Sequence, residues 1–69
     1  MPTIGSRARI TYFGGGHESA QIVAVQDDGR RLQVRGEAGE MLEFVLSPST
    51  AKFVRPGQAI AGERLELLN

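Results

Sequence analysis

Three observations predict that this 69-residue chain is a small all-β domain, five or six short strands in an antiparallel meander closed into a barrel. Apolar and polar residues alternate over several short runs, turn-forming residues punctuate the chain every 8–12 residues or so (roughly one strand and its turn), and no stretch keeps a helical period. The length supports one domain, residues 1–69, that buries only about 60% of the surface its unfolded chain exposes. With no Cys and a single His, it has neither a disulfide framework nor the ligands of a Cys- or His-based metal cluster. Stability must come from a sheet that closes on itself, or from a homo-oligomer that pairs the sheet edges.

Pro2 and Gly5 mark a lead-in to the first strand, residues 7–13. Here Ala8, Ile10 and Tyr12 alternate with Arg9, Thr11 and Phe13, and the first set is read as the core face. Gly14-Gly15-Gly16-His17 ends that strand, because successive glycines free the backbone. The run lacks the Gly-Lys-Ser/Thr and G-x-G-x-x-G patterns of a phosphate cradle, and no helix follows to offer its N-terminus. His17 has no second catalytic partner at an interpretable spacing and is read as an exposed loop side chain.

Residues 18–36 form the organising hairpin, a long strand, an Asp-Gly turn and a returning strand. A two-residue loop, Asp28 and Gly29, sets Val25 opposite Leu32 and Val23 opposite Val34. A three-residue loop, Asp27 to Gly29 with a bulge at Gly29, sets Ala24 opposite Leu32 and Ile22 opposite Val34. Either register buries Leu32 and Val34 and turns Arg31, Gln33 and Arg35 outward. The outgoing strand also changes phase, Ala20 and Ile22 in one parity, Val23 and Val25 in the other. A bulge or sharp bend between Ile22 and Val25 puts both on one face, and a bent second strand shared by two small sheets closes a short barrel. The alternative is a strand buried on both sides.

Gly36-Glu37-Ala38-Gly39 makes the next turn. Residues 40–46 follow as a strand with Leu42, Phe44 and Leu46 inward, and Met41, Glu43 and Val45 outward. Ser47-Pro48-Ser49-Thr50 reads as a turn or a single 3₁₀ turn, and residues 51–55 as a short fifth strand carrying Phe53. Past the Pro56-Gly57 turn the chain is irregular, with Ile60 as a plug, and residues 63–68 close the barrel with Leu65 and Leu67 inward.

Eight basic residues balance eight acidic ones, which argues against attachment to nucleic acid by bulk charge alone. The balance is uneven: residues 1–36 carry five Arg against three acids, and residues 37–69 carry three bases against five acids. This gives either two faces of opposite sign or an ordinary solvated surface. No apolar run reaches the roughly 18 residues of a membrane span, and Met1-Pro2-Thr3 opens neither a signal nor a transit peptide, so a cytoplasmic protein is expected. Seven Arg to one Lys, with many Ala and Gly, fits GC-rich bacterial coding.

Gly5 and the run from Arg9 to Phe13, the run from Ser19 to Val25 with Asp27-Asp28-Gly29 after it, and Leu32-Gln33-Val34 with Gly39-Glu40 together resemble the SH3-like small barrels, most nearly Tudor-like and KOW-like modules, over residues 5–46. Tudor-type readers of methylated side chains imply an aromatic cage. With no Trp, and with Phe44 and Phe53 assigned to the core, only Tyr12 and Phe13 remain near the matching loop. KOW-type modules imply contact with RNA or protein through a basic outer face, which here maps to Arg9, Arg31 and Arg35, with Tyr12 or Phe13 to stack on a base. Two enzyme-linked resemblances carry less. The plasmid-borne dihydrofolate reductases share the size and hairpin layout but not the V-Q-I-Y run, and Lys52 lacks the Asp or Met flanks of a lipoyl or biotinyl carrier lysine.

The sequence thus predicts a non-catalytic interaction module without cofactor or metal, binding protein, RNA or DNA, and not membrane, through Arg9, Tyr12, Phe13, Arg31, Gln33 and Arg35. The alternative is a structural or regulatory subunit acting by self-association or within a larger complex.

Overall fold

The computed structural model describes residues 2–57 and 62–68. Six strands, β1 (Arg7–Thr11), β2 (His17–Gln26), β3 (Arg31–Arg35), β4 (Met41–Leu46), β5 (Phe53–Val54) and β6 (Arg64–Leu67), pair antiparallel in chain order, and β6 returns to β1. The result is a closed six-stranded antiparallel barrel, compatible with an SH3-like architecture. No α-helix occurs among the described residues, and no helix is long and apolar enough to cross a membrane. Closure gives every strand two hydrogen-bonded neighbours, which answers the need set by a small chain without Cys.

Alternation places the core. Ala8, Ile10, Ala20, Ile22, Leu32, Val34, Phe44 and Leu65 are buried in one cluster, and Tyr12, Val25, Leu42 and Phe53 pack against it. Small and large residues interleave, with Ala8 opposite both Ala20 and Leu67 while Leu32 faces Phe44. That mixture lets a narrow barrel fill its interior.

The hairpin combines features of both expected registers. Next to the turn Val25 faces Leu32, but farther along Ile22 faces Val34, and Val23 is the extra residue between them. The phase change in the sequence is therefore a β-bulge. β2 pairs with β1 through residues 17–21 and with β3 through residues 21–26, so it bends from one partner to the other at the bulge. The connection itself is longer than either expected loop. Between the paired Gln26 and Arg31 lie four residues, with a 3₁₀ turn at Asp27–Gly29 and Arg30 donating its N–H to the Asp27 carbonyl at 3.0 Å. Asp27, Asp28 and Gly29 all have positive φ, a conformation that Asp tolerates and Gly adopts freely.

Other boundaries differ by a residue or two. β1 stops at Thr11 because Tyr12 turns the chain, accepting a hydrogen bond from the Gly15 N–H and donating its own N–H to Gly16. The fifth strand shrinks to two residues, since Ser47 and Ala51 close a turn ahead of it through a 2.8 Å hydrogen bond. Leu67 shares a face with the buried Leu65 but sits where the barrel opens and remains 37% exposed, and Leu46 is only half-buried at the end of β4. The expected irregular stretch with Ile60 as a plug lies largely outside the described residues.

Candidate binding face

Cross-strand partners share a face, so the registers of β1 to β4 define rows of side chains on the outer surface. One row reads Arg7, Gln21, Arg35, Met41, each paired with the next. All four are exposed, Met41 by 54%. A shallow depression of about 390 Å³ beside the row is lined by Arg7, Ser19, Gln21, Arg35, Gly36 and Glu37, with Ala20 at its floor. Neither Arg7 nor Arg35 is ion-paired among the described residues. Gln21 donates from Nε2 to the Gly5 carbonyl at 3.3 Å, which leaves Oε1 as an acceptor between the two cations.

The six residues expected at the site do not form one patch. Arg35 stands free in this row. Arg9, one row along, is held 3.4 Å from Glu66 on β6. Arg31, at the turn end of β3, is doubly tied, its Nε 3.2 Å from Asp27 and its Nη1 on Glu43. Those bonds, to Glu43 first and then to Asp27, favour the charged form and push its pKa up, and they hold the guanidinium against two acids. Gln33 faces Glu43 and Ala24 in the row between. Phe13, 82% exposed, lies past the opposite end of β1 from Arg7. Tyr12 points inward and packs on the core. Arg7 is the member that alternation alone did not single out. Its signal was parity with Arg9, and its pairing with Gln21 gives it meaning.

Tyr12 belongs to a polar clasp at the barrel mouth. Its hydroxyl donates to Glu18 Oε2, while Glu18 Oε1 accepts the Glu37 N–H at 2.9 Å and Glu37 Oε2 accepts the Ser19 N–H at 2.8 Å. The start of β2 and the β3–β4 turn are thereby tied to each other, with Gly36 buried beneath them. At the same mouth Arg55 reaches Glu63 at 3.7 Å and lies over the Phe44 ring, 5.9 Å from its centre. Among the described residues no group of three or more His, Asp or Glu side chains could hold a metal ion.

The clasp has a pH signature. The hydrogen bond to Glu18, then burial and the nearby charges of Glu18, Glu40 and Glu63, push Tyr12 up to about 12. The Tyr12 hydroxyl, then the Glu37 N–H, holds Glu18 below the usual carboxylate range. A lowered carboxylate stabilises the fold above its unfolded pKa, and the gain is lost as pH falls through the lowered value. A raised phenol stabilises below about 10, and that gain is lost as pH rises through the raised value. Tyr12 is the only Tyr and there is no Trp, so tyrosinate absorbance reports it alone. The midpoint is expected near 12 in the wild type and back toward the ordinary value of about 10 in Glu18→Ala. A wild-type midpoint near 10 would mean that the clasp does not form in solution.

Comparison with protein-family models, curated proteins and solved structures finds no match, so the functional reading rests on these residues.

Proposed function

We propose that the protein is a non-catalytic binding module that engages a protein or nucleic-acid partner through the outer face of β1, β2 and β3. One observation carries this reading: Arg7 and Arg35 stand exposed on either side of Gln21 without an ion pair among the described residues, while Arg9 and Arg31 on the same sheet are ion-paired. An unpaired guanidinium is a planar fork suited to carboxylate or phosphate, and two on one row give such a group direction as well as charge. A KOW-like role agrees with a basic outer face. A Tudor-like methyl-reading cage finds less support, since Tyr12 is turned inward, Phe44 is interior, Phe53 packs against the core and Phe13 stands alone. Self-association is the less favoured reading, because the six strands already close on one another.

Amide-resolved NMR titration with a short single-stranded RNA, and separately with a short poly-glutamate peptide, tests the face. At least one is expected to shift the amides of Arg7, Gln21 and Arg35 together. Shifts confined to the Gly14–Gly16 loop or to β5 and β6, or no shifts with either probe, would overturn the reading.

A further inference from the structure

Resting on that binding-face reading, we infer that the partner is an extended acidic peptide that crosses β1 to β4, with alternate carboxylates on Arg7 and Arg35 and a following apolar side chain on Met41. The row presents its chemistry in a fixed order: donor fork at Arg7, amide acceptor at Gln21, donor fork at Arg35, apolar surface at Met41. A peptide strand supplies carboxylates for the forks and a backbone N–H for Gln21 Oε1. A phosphate group offers acceptors alone, so a nucleic acid would have to meet Gln21 Oε1 with a ribose hydroxyl or a base, and the row holds no aromatic ring on which a base could stack.

Spacing agrees with this order. Neighbouring strands lie about 4.8 Å apart, so the Arg7 and Arg35 backbones stand about 10 Å apart and Met41 about 5 Å beyond. Alternate side chains of an extended peptide are separated by about 7 Å, so an acid-x-acid-x-apolar segment spans the row within the reach of two arginines. The depression also contains Glu37, but its carboxylate is held by the Ser19 N–H. Among the residues lining the depression, two cations stand against that one acid. Overall neutrality of the chain fits a partner chosen by a few placed charges rather than by a bulk field.

Fluorescence anisotropy with a labelled peptide carrying Glu-Thr-Glu-Thr-Leu between Gly-Ser flanks tests this directly, alongside its Gln-for-Glu analogue and a labelled oligouridylate. The acidic peptide is expected to bind, with affinity at least about tenfold weaker for the Gln analogue and for Arg7→Ala/Arg35→Ala, and severalfold weaker for Met41→Ser. Circular dichroism melts of the exposed-site variants, expected to overlay that of the wild type, separate lost binding from lost folding. Equal binding of the acidic and Gln peptides, or peptide binding untouched by the double substitution, overturns the inference. Oligouridylate binding that needs Arg7 and Arg35 while the peptide fails also overturns it, and leaves the binding face standing. Failure of both probes overturns the two together.

Discussion

Phe44→Ala is expected to abolish cooperative unfolding. Phe44 is fully buried, faces Leu32 across the β3–β4 pair, and carries the Arg55 guanidinium on its ring. Truncating such a residue removes its transfer free energy and leaves a cavity, about 3–5 kcal/mol in well-packed cores. A domain of this length has a total stability of order 3–10 kcal/mol, so the loss takes up a large part of it. Arg55 aggravates the change, since its Nε is buried without a hydrogen-bond partner among the described residues and the ring beneath it would be gone. With no Cys, no disulfide compensates. Far-UV circular dichroism in a urea titration should show a broad or absent transition for Phe44→Ala and a cooperative, weakened one for Phe44→Leu. A Phe44→Ala midpoint close to wild type would show that the barrel interior is not the main source of stability.

The interior was legible because side-chain direction in a strand has a period of two. Leu32 and Val34 had to be inward under either hairpin register, and both are fully buried. Phe44, Ile10 and Ala8 followed from the same rule. Legibility fell where closure, rather than alternation, decides the environment. Val54 is buried although nothing marked it, because β5 is flanked on both sides by β4 and β6. Leu67 has the right parity and still reaches solvent, because the barrel opens there.

The outer face was legible in direction but not in electrostatics. That Arg31 and Arg35 point outward follows from β3 alone. That Arg31 is neutralised depends on Glu43 from β4 and Asp27 from the turn, and that Arg9 is neutralised depends on Glu66, more than fifty residues away in the chain. Those pairings exist only once β4 and β6 have found their registers. Arg7 and Arg35, the two arginines of β1 and β3 outside those pairs, are separated by 28 positions in sequence and by a single strand in space. Tyr12 shows the same dependence: its parity placed it inward, and its hydroxyl is committed because Glu18 arrives from the next strand.

Deleting Val23 is expected to weaken the barrel by about 1–3 kcal/mol, the scale of strain from forced backbone and packing shifts, although every cross-strand partner in the hairpin can be kept. Without it, Ile22 can still face Val34, Ala24 can face Gln33 and Val25 can face Leu32, now as an unbroken ladder. Ile22 and Val25 remain on the core face. What disappears is the bend, because a bulge is what locally raises the twist of a strand and turns it. β2 must reach β1 with its first half and β3 with its second, and a straighter strand moves those partners apart, so closure by β6 on β1 and by the two-residue β5 comes under strain. Val23→Ala is the control, since it keeps the extra backbone residue and trims a half-buried side chain; a loss of no more than about 1 kcal/mol is expected. Urea midpoints of the two variants decide the matter. A deletion that costs no more than the alanine substitution would mean that the bulge fixes register only, and that the barrel closes by packing rather than by curvature built into its second strand.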